Sequence, residues 1–251
     1  MDILTFFTPA EMAGQKLKAD AAIVIDVLLG TTTISAALKA GAAKVIITSE
    51  VNEAIRLANT LGREQTLIGG NQSNGEIAGF DLSNSPGEYS INKIQRKNLI
   101  YCSSDTASAV AAARHADRVL LGSFNNMQAV IQSAGSPSVL HILCSGKAGR
   151  FAMEDAVCAG MFIQQILNRL EMDFSLNDAS STARYLYYRH HRNILGMLSQ
   201  SSYGHYLSQQ GHYKDIEYAG MMNIANIVPE LSLDKHCFIP TVVLEKIIQN
   251  Y

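Results

Sequence analysis

A repeating unit constrains the fold of this chain more than any other feature: a short, nearly continuous apolar run, closed by small or polar residues, followed by a stretch of helical character. The first instance is AAIVIDVLLG, then TTTISAALKAG, then AKVIITSE. It reads as buried strand, helix and buried strand, a βαβ crossover. VNEAIRLANTLG follows, with apolar or small residues at 51, 54, 55, 57 and 58 and Gly62 as its stop signal, so a helix is expected there. QTLIGGN, NLIYCSSD, RVLLGSF and SVLHILCSGK add further short strands, and the Ala-rich TASAVAAARHA separates two of them. Strands that are apolar without alternation need cover on both faces. The pattern therefore predicts an α/β protein with a mostly parallel sheet. After the last of these runs the chain turns helical, in EDAVCAGMFIQQILNRL and ASSTARYLYYRHHRNILGMLSQ, and NIVPELSLDKHCFIPTVV reads as a closing edge strand. With no internal repeat and no linker, a single domain over 1–251 is expected.

Composition removes several classes of function. Lys+Arg number 20 against Asp+Glu 22, which leaves no electrostatic footprint for nucleic acid. The most apolar run, Ala21 to Leu29, is interrupted by Asp26 and falls short of the ~20 residues that span a bilayer, so no membrane role is expected. The N-terminus carries an acid at Asp2 and no basic stretch ahead of an apolar one, which reads as a mature cytoplasmic protein. Cysteines at 102, 144, 158 and 237 form no CxxC pair, and no histidine stands at zinc-finger spacing, so buried free thiols are expected. His190 and His191 adjoin Arg189 and Arg192 and read as a solvated basic face. The apolar helices of the second half suit a homodimer.

In α/β proteins, ligands gather where strands end and helix N-termini present N–H groups to anions. That rule selects Asp26 with Thr31, Thr32 and Thr33; Gly69, Gly70 and Asn71; Ser103, Ser104, Asp105 and Thr106; Gly122 and Ser123; and Ser145, Gly146 and Lys147. Five such loops converging would make one anion-binding cleft. Asp26 is the sharpest candidate, because a carboxylate inside an apolar run must be paired, hydrogen-bonded or bound to a cation to offset its desolvation. The alternative is an acid capped by the threonine hydroxyls at 31 to 33. Glu154 and Asp155 open a helix, where acids complement the macrodipole, so capping stands beside metal binding. Ser103 to Thr106 form either an N-cap cluster or a holder for phosphate or carboxylate. Lys147 either counters an anionic substrate or is an exposed turn lysine. Asp81 organises its loop or binds metal, within a long irregular Gly-, Ser- and Asn-rich segment of the kind that is often functional.

Five segments, VIDVLLGTTTISAALKAGA, GFDLSNSPGEY, VLLGSFNN, CSGKAGRFAMEDAVCAG and SYGHYLSQQGHYKDIEYAGMMNIANIVPEL, together resemble the 2-phosphosulfolactate phosphatase family in order and spacing. The resemblance implies a three-layer α/β/α fold and a magnesium-dependent phosphomonoester hydrolase that takes a small anionic substrate and converts phosphosulfolactate to sulfolactate and phosphate. It assigns Asp26, Glu154 and Asp155 as candidate Mg2+ ligands; the catalytic candidates are Asp26 and, as the residue placed to replace a lost family acid, Asp105. Thr31, Thr32, Thr33, Ser103, Ser104, Thr106, Ser123 and Lys147 are the candidate substrate-binding residues. Gly69, Gly70, Asp81, Asn84, Ser85, Pro86, Gly122, Gly146 and Gly149 also stand where the family has them.

The departures from the family pattern cluster in the same cleft. Leu29 replaces an arginine, the family's Gly-Gly-Glu-Arg-Gly-Gly loop reads Gly69-Gly70-Asn71-Gln72-Ser73-Asn74, and its Thr-Thr-Asn-Gly-Thr-Arg loop reads Ser103-Ser104-Asp105-Thr106-Ala107-Ser108. Three guanidinium groups, the usual partners of phosphate and sulfonate, are thereby replaced by neutral side chains. Lys147, Arg150 and Asp105 are the residues placed to compensate. A second function is therefore carried alongside the first: a repurposed family member that binds or transforms a less charged metabolite. A third is a binding or scaffold protein without catalysis.

Overall fold

The computed structural model describes residues 1–14, 18–70, 77–169, 173–232 and 236–241. In chain order the elements are β1 (Asp2–Phe6), a 3-10 turn at Pro9–Met12, β2 (Ala19–Ile25), α1 (Gly30–Lys39), β3 (Lys44–Thr48), α2 (Val51–Leu61), β4 (Thr66–Gly70), a 3-10 turn at Pro86–Glu88, α3 (Ile91–Ile94) and β5 (Asn98–Cys102). They continue with α4 (Ser104–Ala113), β6 (Ala116–Gly122), α5 (Met127–Ala134), β7 (Val139–Cys144), α6 (Met153–Arg169) and β8 (Ser175–Leu176). The last are α7 (Asp178–His190), α8 (Ile194–Gln200), α9 (Ser202–Gln209), α10 (Tyr213–Gly220), β9 (Val228–Ser232) and β10 (Cys237–Thr241).

Among the described residues ten strands form one mixed, mostly parallel sheet in the order β4-β5-β3-β10-β9-β6-β2-β7-β1-β8. The protein is α/β, as the strand pattern predicts. Parallel ladders join β6, β2, β7, β1 and β8 on one side and β3, β5 and β4 on the other. Between the two groups lie β9 and β10, antiparallel to each other and to the strands flanking them. The C-terminal segment is thus interior to the sheet, a correction to its reading as an edge strand. It also separates β2 from β3: three strands intervene, so the expected βαβ crossover does not place its two strands side by side. Its apolar residues carry the reason, since Val228, Cys237 and Phe238 are all buried.

β2 shows why a strand here has no polar face. Ala21, Ile23 and Ile25 turn toward α5, α6, α7 and α8, whereas Ala22 and Val24 turn toward α1 and α4. Each set alternates by two, as the pleat requires, and both faces are dry. Val45, Leu99 and Tyr101 of β3 and β5 join the same cluster as α1 and α4, and α2 covers their opposite face with Ala54 and Ala58. The sheet therefore curls around α1, and Gly30 to Leu38 are buried without exception. Small residues and threonines in TTTISAA allow that enclosure, because little volume projects from any side. The curl also brings the ends of β2 and β5 face to face, which builds the site.

Candidate active site

Asp26 follows the end of β2 and is only 7% exposed. Its Oδ2 accepts the hydroxyl proton of Thr106, on α4, at 2.5 Å. Burial raises the Asp26 carboxyl above its ordinary 3.8, with the Asp105 charge adding to the rise and the Thr106 hydroxyl, the Lys147 ammonium and the Gly30 backbone opposing it. Gly30 makes the approach possible: a Cβ there would collide with both Asp26 Oδ2 and Thr106 Oγ1. Thr106 Oγ1 lies 2.9 Å from Ser103 Oγ, which also accepts the Thr106 N–H and so caps α4.

A solvent-open recess of about 340 Å3 sits above this carboxylate. Its walls come from the loop after β2 (Asp26, Leu28, Leu29 and Gly30), from Asn84, from Tyr101, from Ser103 to Asp105 at the start of α4, and from Lys147 after β7. Lys147 Nζ stands 3.2 Å from Asp105 Oδ2, and Asp105 Oδ1 accepts the Ala148 N–H at 3.1 Å, so one acid holds both the lysine and its turn. Burial lowers the Lys147 ammonium, but Tyr203, Asp26 and Asp105 outweigh it and the net shift is upward. The lysine therefore keeps its charge at neutral pH.

Of the sequence candidates, the structure gathers Asp26, Ser103, Ser104, Asp105 and Lys147 around the recess, with Thr106 directly behind Asp26. The others are placed differently. Thr31 Oγ1 shares its proton between the Asp26 and Gly122 carbonyls and accepts the Asp26 N–H. Thr32 Oγ1 donates to the Val27 carbonyl and Thr33 Oγ1 to that of Asn84. All three side chains are fully buried, and they fix the β2–α1 turn and the Asn84 loop. Ser123 is likewise buried, bonded through its N–H and hydroxyl to Asn126 Oδ1. Asp155 is committed as well: Oδ1 accepts the Val27 N–H at 2.8 Å, and Oδ2 accepts Ser145 Oγ and the Gly146 N–H. It ties the β2 turn to the β7 turn. Glu154 is 4% exposed, with its carboxyl raised by burial and by the Asp26 charge, against a hydrogen bond from Ser201. Asp81 organises its loop, accepting the Ile68 N–H and pairing with Arg63. Asn71 and Gln72, where the family loop has an acid and a base nearby, lie outside the described residues, as does Ser73-Asn74.

Sequence reasoning missed Leu28, Gly30 and Tyr101 as walls of the recess. Each is buried and apolar or small; Leu28 and Gly30 follow Asp26 in the chain, and Tyr101 comes in from the end of β5.

The family model for 2-phosphosulpholactate phosphatase matches residues 6–234. The chain belongs to this family. A probable 2-phosphosulfolactate phosphatase of Caldanaerobacter subterraneus subsp. tengcongensis is 32% identical over 234 residues, covering 92% of this chain and 95% of the other. One from Clostridium acetobutylicum is 29% identical over 231 residues, covering 92% and 97%, and one from Synechocystis sp. is 30% identical over 233, covering 92% and 96%. The family is one of phosphatases, so a small-molecule substrate and hydrolase chemistry are its common ground. In this member of the 2-phosphosulfolactate phosphatase family the position of the first family arginine is Leu29, which lines the recess and is 2% exposed.

Proposed function

We propose that the chain is a magnesium-dependent phosphomonoesterase that holds its phosphoryl group in the recess over Asp26. The observation that carries this reading is a buried carboxylate at the end of a central strand, facing a polar recess ringed by Ser103, Ser104, the start of α4 and Lys147. A helix start, hydroxyls and one ammonium are the groups that take a phosphate, and an acid is the group that takes its metal.

The residues present fit magnesium through a small donor set. Among the described residues no three His, Cys, Asp or Glu side chains converge as a metal cage. Magnesium does not need one, since it takes one or two carboxylates and completes its shell with water and phosphate oxygens. Asp155 is saturated by three protein donors, which leaves Asp26 and Glu154 as the acids that would hold the ion. Both are acids whose ionised form burial disfavours, the condition a bound cation relieves. When bound, the ion supplies charge neutralisation at the phosphoryl oxygens and orientation of the attacking oxygen. The chain itself does the rest. Lys147 offsets the phosphoryl charge, Ser103 and Ser104 offer hydroxyls, and Asp105 positions Lys147 through its 3.2 Å pair. Thr31, Thr32, Thr33 and Ser123 keep the turns around the recess in place from behind.

One observation favours a second reading. Leu29 presents an apolar side chain where the family has a cation, so a member that binds a less charged metabolite without hydrolysing phosphate also fits. Phosphate release from phosphosulfolactate and a panel of small phosphomonoesters, with and without magnesium and beside a family member that keeps the arginines, separates the two. Metal-dependent turnover is expected. No turnover beside an active control would overturn the phosphatase reading in favour of the second.

A further inference from the structure

A second pocket, of about 560 Å3, adjoins the recess and shares Lys147 with it. Lys147 is the partition: its ammonium pairs with Asp105 on the recess side and lies 4.1 Å over the centroid of the Tyr203 ring on the other. Beyond that partition the chemistry changes. Phe151, Ala152, Met153 and Tyr203 supply an apolar, largely aromatic lining, and Gln200 and Ser202 add neutral polar groups. Both rings are braced from behind. Phe151 meets Phe7 edge-on at 5.3 Å, and Tyr203 stacks on Tyr206 at 5.7 Å with 14° between the planes. Phe151 nevertheless remains 51% exposed, a large aromatic surface left uncovered at the mouth of a pocket.

The ionic groups lining this pocket are Lys147, already paired with Asp105, and Glu154, an acid. A sulfonate or carboxylate entering beside the phosphoryl group would find one cation in this lining, Lys147, which Asp105 pairs and the phosphoryl group also draws on. An uncharged ring would lie against Phe151 and Tyr203, where aromatic contacts add attraction beyond area burial.

We infer that this pocket selects a phosphate ester whose leaving alcohol is uncharged and aromatic, seated across Lys147 from the phosphoryl recess. The inference rests on the phosphatase reading for the recess but makes a separate claim about what is attached to the phosphorus.

The test uses two non-hydrolysable phosphonates with the full chain and magnesium present, measured by calorimetry: benzylphosphonate, and phosphonoacetate, which carries a second anion. Benzylphosphonate is expected to bind at least about tenfold tighter. In Phe151→Ala that advantage is expected to shrink by about tenfold, with phosphonoacetate affinity unchanged, the size of effect that one aromatic contact gives. Phe151 is half exposed, so the fold is not at stake in the variant. Equal or tighter binding of phosphonoacetate, no binding of either probe, or a preference that survives Phe151→Ala would overturn the inference. Phosphate release keeps the two claims apart. A protein that hydrolyses phosphosulfolactate as well as it hydrolyses phenyl phosphate upholds hydrolysis and overturns aromatic selection. A protein that prefers benzylphosphonate but releases no phosphate does the reverse.

Discussion

Asp26 is costly where it stands, and the cost has a pH signature. Its carboxyl is raised above 3.8 chiefly by burial, so the folded state binds its proton more tightly than the unfolded chain does. For an acid shifted upward, stability is greatest below the unfolded value and falls as pH rises through the folded one. Removing the charge should therefore help more as pH rises. In metal-free protein the Tm of Asp26→Asn is expected to match wild type near pH 4 and to exceed it as pH rises through the folded carboxyl's titration, as read by calorimetric scans in chelator; a gap independent of pH would contradict the buried-charge account. Gly30 carries the complementary prediction. Gly30→Ala drives a methyl into Asp26 Oδ2 and Thr106 Oγ1, so it is expected to cost about 1–3 kcal/mol in denaturant melts and to lower activity with it. Asp26 was legible in the sequence because a lone acid in an apolar strand needs a reason. The constraint that Thr106 puts on Gly30, and Tyr101's place at the recess, were not, since both depend on two loops about eighty residues apart in the chain coming together, which periodicity does not encode. The thiols were legible too: all four cysteines are buried, and burial pushes Cys102, Cys144 and Cys158 up.

At the scale of elements, the helix starts and stops followed local chemistry. α2 ends at Gly62 with φ 89°, and Ser103 caps α4 through the Thr106 N–H, so the N-cap reading of that cluster and its place at the recess coexist. α6 and α7 pack closely because Gly160 lets them: a Cβ there would strike the Ala183 carbonyl and the Tyr187 Cβ. Gly160→Ala is expected to destabilise by about 1–3 kcal/mol in urea melts, a loss of overpacking type, with kcat little changed because α6 reaches the site only at its first turn. A neutral effect would mean that the two helices slide apart without cost. The threonines of α1 show the limit of reading by residue type. Three hydroxyls at a helix start look like anion ligands, yet the curl of the sheet encloses that helix and directs all three to carbonyls.

For the whole molecule, the sheet is two parallel groups joined by β9 and β10. The sequence pattern marks β2 to β7, each a short apolar run, but not β1, with Asp2 and Thr5 in it, or the two-residue β8. It did not give the join, since VPELS and CFIPT carry prolines and polar residues that resemble edge strands. Phe238, 1% exposed and opposite Val45, sits at that seam. Phe238→Ala is expected to cost about 3–5 kcal/mol and to loosen the β3–β5 side, where Ser103 and Asp105 belong. Hydrogen exchange should rise first in β3 and β5; uniform protection would contradict the seam. Since that curl exists to bring β5 to β2, the decisive test returns to the residue it delivers. Phosphate release with saturating magnesium should be measured for wild type and Asp26→Asn on the best phosphomonoester of the panel. A loss of about a hundredfold or more in kcat/KM, with the variant still folded, is the result predicted. Turnover by Asp26→Asn at the wild-type rate and with the wild-type magnesium requirement would contradict a metal-assisted site built on Asp26.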